Sequence, residues 1–550
     1  MSYSDDAGKT DNPTGRLSFS DAGERAVFLL RELYEQSGYT KYRMGKFEEY
    51  DFYNNHKDFL PSGQILTFTD LDGRLMALKP DVTMSIVKRT RAKRESPERL
   101  YYNESIYRPA RDSREYREIP QIGIEFIGAV TKEIDVEIVS LALKSLACIS
   151  DTFILDVSHN GFLSGLMENI DAPAEVKREI TRLLERKNAH ELAILLKSHQ
   201  IGEEYTARLL ALASQDRVAL APQDRQAYAL QSARNIAVNA KMHSALDELD
   251  DLYASLAGNA LRGALHLDFT LAHDSSYYNG LVMRGYIESA TGTVLSGGRY
   301  DRLLKRMDIK GLEAVGFAIY LDEVAAPVVR RPAAHGASGG EEAGVLKIAL
   351  PKGRMGNEAY GLFEAAGYKC ESYNKDSRKL VFYNMERGIG FLMVKPQDVA
   401  VYVERGAADV GVIGKDTLLE TGPNVLELAD LRFGACRLAT AACEGYTENQ
   451  NAVLRVATKY PNVTRGYYSK QNRDIDIIKL NGSIELAPIL GLSDIIVDIV
   501  ETGGTLKANR LYVRDEIAKS SARLIANVNS YKFKQAEISE MVERLSRLIN

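Results

Sequence analysis

The chain has no run of about 18 apolar residues, which excludes a helical membrane span. It is poor in cysteine. Cys148, Cys370, Cys436 and Cys443 lie far apart or at spacings that match no metal motif, so reduced thiols are expected. It has no surplus of positive charge: the formal net charge is −5, which argues against a general nucleic-acid binder. Residues 1–19 are polar and lack the apolar core of a secretory signal, so a cytoplasmic location is expected. No histidine follows His335, so the C-terminal part must do its chemistry without a histidine base or ligand.

What is present is a chain of 550 residues, 45% apolar and 26% charged. That is too long for one core and implies roughly three or four folded domains. The most informative stretch is Asp494–Leu506. Ile495–Val500 is a β-branched run broken only by Asp498, and its length suits an interior strand of a parallel sheet. A carboxylate there is expensive to bury without partners. Thr502, Gly503, Gly504 and Thr505 follow at once. Two glycines let backbone N–H groups close around an anion, and the threonines add hydroxyl donors or cap a helix. An ordinary strand-to-helix turn is the plain alternative. Asp498 and Glu501 just ahead of the cradle favour a ribose held by carboxylates and its phosphate held by the loop.

The rest of the chain divides around one segment. Arg331–Gly344 is rich in glycine and alanine and reads as a flexible linker between residues 1–330 and 345–550. Ahead of it, the spacing predicts a helix over Ala22–Ser37 and a hairpin of Gln64–Asp70 with a returning strand over Arg74–Thr83. A second strand pair, Arg99–Arg108 and Gln121–Gly128, brackets a loop in which Arg108, Arg111, Arg114 and Arg117 recur every third residue. Such a run is either a solvated face or a polyphosphate clamp. Residues 165–262 are helical in pattern and form an inserted subdomain, with His190, His199 and His243 read as surface or packing residues.

Beyond the linker, Val345–Leu350 is a strand followed by the basic turn Pro351–Met355 and an amphipathic helix to Ala366, an anion site at a helix start. Arg378 and Lys379 add a second basic point. The strand Phe391–Val399 carries Lys395 and Asp398, and Ala408–Asp416 ends in Gly414, Lys415 and Asp416. Strands alternate with helices, so this part is expected to be α/β with parallel strands and ligands past their carboxyl ends.

Two resemblances follow from these motifs. Lys79–Thr83, Ser105–Arg108, Arg117–Glu125, Ser276–Gly280, Gly297–Asp301 and Gly316–Ile319 resemble the class II aminoacyl-tRNA synthetase core of the histidyl type, over about residues 15–330. This implies a dimerising fold with a six- or seven-stranded antiparallel sheet. The departures are instructive. Ala110 stands where the family has a glutamate that contacts ATP. Glu323, beside Asp322, stands where it has an arginine that neutralises ATP, and His273 stands in for another arginine. No anticodon-binding domain follows residue 330. The fold looks kept and aminoacylation lost, as in the regulatory subunit of ATP phosphoribosyltransferase. The resemblance implies a histidine pocket of Asp81, Thr83, Arg108, Gln121, Glu125, Tyr277 and Tyr278.

The second resemblance covers about residues 346–550. Leu350–Arg354, Ser377–Lys379, Gly411–Asp416 and Gly482–Pro488 leading into Asp494–Leu506 resemble the short form of ATP phosphoribosyltransferase. The long form's histidine-sensing domain is not expected. The family implies two α/β lobes with a cleft, similar to type II periplasmic binding proteins, and attack of adenine N1 of ATP on C1 of phosphoribosyl pyrophosphate (PRPP). Lys352, Arg354, Arg378, Lys379, Lys395 and Lys415 can supply cations for two polyphosphates. The implied assignments put Arg354, Arg378 and Lys395 in catalysis. Asp498, Glu501, Thr502, Gly503, Gly504 and Thr505 bind PRPP, and Lys352, Gly353, Lys379, Asp416 and Glu485 bind ATP. Mg²⁺ is the implied cofactor, with Asp498 and Glu501 as its protein ligands. Histidine is the implied effector and a homo-oligomer, dimer or tetramer, the implied assembly. Alternatives are a histidyl-tRNA synthetase with an appended module and a non-catalytic ligand-binding regulator.

Overall fold

The computed structural model describes residues 21–549 except 61–63, 110–114, 215–221, 272–276, 326–344 and 375–376. Arg111, Arg114, Ala110, His273, Ser276 and the linker 331–344 lie outside the described residues.

The N-terminal part is built on an eight-stranded sheet, in the order Thr40–Lys41, Glu98–Pro109, Tyr116–Gly128, Glu313–Tyr320, Leu295–Arg299, Leu281–Ile287, Phe153–His159 and Leu265–Leu267. The six central strands, from Glu98–Pro109 to Phe153–His159, pair antiparallel as expected, and one short strand is added at each edge. The two outermost pairings are parallel, and they involve strands of two and three residues. Strands that short carry no alternation for sequence reading to find. The helix Lys132–Ile149 packs on the sheet through Ile138, Val139, Leu143 and Leu146, none of them measurably exposed. Truncating any one of these to alanine costs about 2–5 kcal/mol. The first helix, Ala22–Gln36, starts where Asp21 accepts Gly23 N–H.

A second correction falls in the hairpin. The returning strand runs only over Leu75–Leu78, because Asp81 accepts Met84 N–H at 2.9 Å and starts a helix over Val82–Arg89. Pro80 before it cannot donate to a sheet ladder. The described residues between 165 and 255 form helices joined by short turns, as expected, from the helix Asn160–Glu168 to the helix Ala240–Ser255. Among the described residues no helix is long and apolar enough to cross a membrane.

The C-terminal part forms two sheets. One has the order Val381–Asn384, Ile389–Val394, Leu346–Pro351, Val410–Gly414, Ala522–Ala526 and Leu426–Asp430. The other has Ile475–Lys479, Leu454–Thr458, Ile495–Val500, Cys436–Cys443 and Leu511–Ser520. The two-lobed architecture is as expected, but neither sheet is wholly parallel. Only the middle strands of the first lobe and three of the second pair parallel. The reason is the chain path. It leaves the first lobe after Asp430 and returns at Ala522, so the returning strand enters antiparallel to Val410–Gly414. Ile495–Val500 is interior as expected, with one parallel and one antiparallel neighbour.

The two parts touch. The catalytic-side helix Val528–Phe533 projects Asn529 onto Ile287 O and Ala290 O, at 3.1 and 2.9 Å. Lys532 lies 2.5 Å from Asp156 and 2.9 Å from Asp268, both buried in the N-terminal part.

Candidate active site

The strand Ile495–Val500 delivers Asp498 and then the loop Glu501–Gly503 to the cleft between the lobes, and the short helix Gly504–Ala508 follows. Gly503 has φ +76°, a left-handed conformation that a β-branched residue adopts only under strain. Thr502 Oγ1 accepts Gly504 N–H at 3.4 Å, and Thr502, Gly504 and Thr505 are exposed. The loop therefore presents unblocked backbone to solvent. Asp498 is half-buried, and its Oδ1 accepts the Ile499 N–H at 2.8 Å. Burial pushes its carboxyl up to about 6, with Glu485 and Asp416 adding to the rise and Ile499 N–H and Lys459 opposing it.

The opposite wall comes from the first lobe. Lys352 and Gly353 follow the strand Leu346–Pro351, and Arg354 opens the helix Arg354–Ala365. Gly356 lets that helix start hard against the strand: a Cβ there would stand 1.7 Å from Pro351 O. Lys352 N–H donates to Val394 O, so the basic turn lies beside Lys395. Leu380 O accepts Met393 N–H, which draws Arg378 and Lys379 to the same carboxyl edge. Lys352, Arg354, Arg378, Lys379 and Lys395 are all exposed there. Across the cleft, Arg354 Nη2 lies 2.6 Å from Glu501 Oε1. The basic turn of the first lobe and the loop Glu501–Gly503 of the second thus meet.

Two charged groups just past the strand Val410–Gly414 have partners that the sequence does not show. Lys415 does not serve the cleft. Its ammonium lies 2.7 Å from Glu427 and 3.3 Å from Glu191, and the side chain is 13% exposed. Asp416 sits where the lobes join: Oδ1 accepts Ser520 Oγ–H at 2.9 Å and Oδ2 accepts the phenol of Tyr460 at 3.0 Å. Sequence reading missed Tyr460 and Lys459. Their only signal is position, just past the strand Leu454–Thr458 and before Pro461, which opens a helix. Among the described residues no cluster of three or more His, Cys, Asp or Glu could hold a metal. Asp498 and Glu501 offer hard carboxylate oxygens, a donor set that fits Mg²⁺ only when phosphate oxygens complete the shell.

In the N-terminal part, the seven residues Asp81, Thr83, Arg108, Gln121, Glu125, Tyr277 and Tyr278 all line one cavity of about 850 Å³. Glu125 is 2% exposed and accepts Thr83 Oγ1–H at 2.7 Å and Tyr300 O–H at 2.6 Å. Burial pushes its carboxyl up to about 8 against those two hydrogen bonds, and the Asp81 charge adds to the rise. Gly316 is required beside it, since a Cβ would stand 2.0 Å from Glu125 Oε2. Burial also raises the Asp81 carboxyl, while Arg108, 3.5 Å away, pulls it down. The cavity wall continues to Asn424, Val528, Tyr531 and Lys532 of the C-terminal part. Glu323 does not act as a reversed charge in this pocket. Its carboxylate packs against Gly292, with Asp322, Arg405 and Arg117 as electrostatic neighbours, and Tyr320 lines the cavity at that end.

The fold is a two-lobed α/β part with basic turns facing a glycine loop, docked on a synthetase-like domain that holds a partly open polar cavity. Family models agree with both halves: "Histidyl-tRNA synthetase" matches residues 19–324 and "ATP phosphoribosyltransferase" matches residues 395–547. An ATP phosphoribosyltransferase of Brachyspira hyodysenteriae is 53% identical over 206 residues, which are 37% of this chain and all of that protein. One from Clostridioides difficile is 49% identical over 208 residues, 37% of this chain and 99% of that protein. The solved ATP phosphoribosyl transferase (HisG:HisZ) complex from Thermotoga maritima has a chain 36% identical, with 37% of this chain and 98% of that chain covered and a TM-score of 0.34. The chain belongs to the ATP phosphoribosyltransferase family, with a domain of the histidyl-tRNA synthetase family fused ahead of it. It is a pentosyltransferase of histidine biosynthesis that makes 1-(5-phosphoribosyl)-ATP and pyrophosphate from ATP and PRPP.

Proposed function

We propose that the reaction takes place across the cleft, with PRPP on the second lobe and ATP on the first. The observation that carries this reading is the contact of Arg354 with Glu501 between the lobes. Both side chains are exposed, so the pair is weak and yields readily to a polyphosphate. The loop Thr502–Thr505 receives the 5′-phosphate through backbone N–H and hydroxyl donors. Asp498 and Glu501 accept the ribose hydroxyls. With its carboxyl near 6, Asp498 is ionised at pH 7 and above, and a carboxylate there favours positive charge developing at C1. Adenine N1 attacks with its own lone pair, so the forming bond needs no base, and pyrophosphate leaves with both bonding electrons. Arg354, Arg378 and Lys395 hold the leaving pyrophosphate and the ATP phosphates. Lys352, Gly353, Lys379, Asp416 and Glu485 complete the ATP side. Lysine at 395 supplies charge without the bidentate fork of arginine. Asp498 and Glu501 are the carboxylates that would hold Mg²⁺ beside the pyrophosphate group, where the ion would neutralise phosphate charge.

The domain division is 1–330, 331–344 and 345–550. Histidine is the effector and occupies the cavity, where Asp81 and Glu125 face its ammonium and imidazole and Tyr277 and Tyr278 enclose its ring. The protein works in the cytoplasm as a homo-oligomer. Pyrophosphate release by the whole chain, with and without histidine, tests the reading. Turnover is expected to need both ATP and PRPP and to fall with histidine. Asp498→Asn is expected to lower turnover by about 10²-fold or more with unchanged folding. Wild-type turnover in that variant would remove Asp498 from the site.

A further inference from the structure

His190 and Glu191 lie in the first turn of the helix Ala189–Ser198, which Asn188 caps by accepting Glu191 N–H at 3.0 Å. The cap fixes the direction of both side chains. Glu191 Oε1 lies 3.3 Å from Lys415 Nζ and 3.2 Å from Arg523 Nη2. Glu427 holds the same two cations, at 2.7 and 3.4 Å. His190 Nε2 lies 3.2 Å from Asp430 Oδ2, and Asp430 Oδ1 accepts Ser521 Oγ–H at 2.7 Å.

These contacts fall on the two places where the chain crosses between the lobes. Asp430 ends the strand before the outward crossing, and Ser521 and Arg523 stand at the return. Lys415 N–H donates to Ser521 O at 3.0 Å, and the next residue, Asp416, binds Ser520 and Tyr460 of the second lobe. The Arg523 side chain is 6% exposed. A cation that buried tolerates the loss of a carboxylate poorly, so the crossing strands settle where Glu191 can reach them. We propose that Glu191, with His190 beside it, is a positioning residue for the transfer reaction: it holds the crossing strands so that the basic turns face the phosphoribosyl loop. The proposal rests on placing the reaction across the cleft. Glu191 touches no substrate, so its effect belongs in turnover rather than in substrate binding.

The test is steady-state turnover of full-length Glu191→Ala and Glu191→Gln. A displacement of about 1 Å in the reacting groups costs up to about 10²-fold, so a fall in kcat of about 10-fold or more is expected, with KM for ATP and PRPP within about 2-fold. Glu191→Asp is expected to recover most of kcat. Lys415→Met is expected to lower kcat as well, and the double variant with Glu191→Ala by less than the product of the two single losses, because both residues belong to one ion-pair cluster. Wild-type kcat in Glu191→Gln and Glu191→Ala overturns the proposal. So does a loss that equals the loss of folded protein measured by circular dichroism at the assay temperature. Full turnover of Gly503→Val would instead strike at the cleft assignment and leave Glu191 to be judged on its own variants.

Discussion

In the cleft, Arg354 and Glu501 pair with side chains 69% and 49% exposed, whereas in the cavity Glu125 is 2% exposed and held by Thr83 and Tyr300. Similar side chains face opposite circumstances. Water already solvates the cleft charges, so they are cheap to keep and easily given up to a charged substrate. In the cavity, burial opposes the charge of Glu125 and displaces its protonation, which makes it sensitive to what enters. A substrate site that must bind and release polyphosphates each turnover suits the first arrangement. A site that senses one small ligand suits the second.

The sharpest break of this comparison is at Gly503. Its left-handed φ leaves no room for a β-branched residue, although a Cβ would meet only Val500 Cγ1 at 3.8 Å. The fault in Gly503→Val is therefore local backbone strain. Turnover by pyrophosphate release is expected to drop about 10²–10³-fold, with the melting temperature nearly unchanged. A large fall in melting temperature with normal turnover per folded molecule would show that the loop is structural.

Glu125→Gln comes next. The wild-type carboxyl is raised in the folded state above its unfolded value, to about 8. The unfolded chain therefore ionises first as pH rises, and stability falls between about pH 4.5 and pH 8. Glutamine keeps an acceptor and has no such cost. The variant is expected to gain about 2–4 kcal/mol relative to wild type at pH 8 and almost nothing at pH 5, read by urea denaturation at both pH values. Histidine inhibition should weaken at least about 10-fold. A pH-independent difference would mean that Glu125 stays ionised when buried. The smallest effect is expected at the exposed pair: Glu501→Gln should alter stability by less than about 0.5 kcal/mol, and the change should fade with salt.

Much of this was legible in the sequence. Ile495–Val500 reads as a strand because a β-branched run ends in Thr and Gly, and it is one. The seven pocket residues come together because Arg108, Gln121 and Glu125 lie on adjacent strands, Asp81 and Thr83 at one helix start, and Tyr277 and Tyr278 in the turn before the strand Leu281–Ile287. The rest depends on chain crossings that no local pattern records. Lys415 follows a strand like a phosphate-binding lysine, yet its partners Glu191 and Glu427 arrive from elsewhere in the chain. His190, read as a surface or packing residue, meets Asp430 for the same reason. The strand returning at Ala522 turns an expected parallel sheet into a mixed one.

That returning strand also sets an order of assembly. Ala522–Ala526 lies between Val410–Gly414 and Leu426–Asp430, and the latter is an edge strand bonded to it. During synthesis the first lobe therefore waits for residues made about a hundred positions later, while the second lobe is complete as soon as Leu511–Ser520 emerges. Until then Val410–Gly414, buried on every residue in the finished protein, has an open edge towards the absent strand. The segment that begins at Ala522 closes the first lobe and, a few residues on, supplies Asn529 and Lys532 to the N-terminal domain. One segment thus completes the catalytic lobe and joins it to the synthetase-like domain, so a chain that stops short of it has neither.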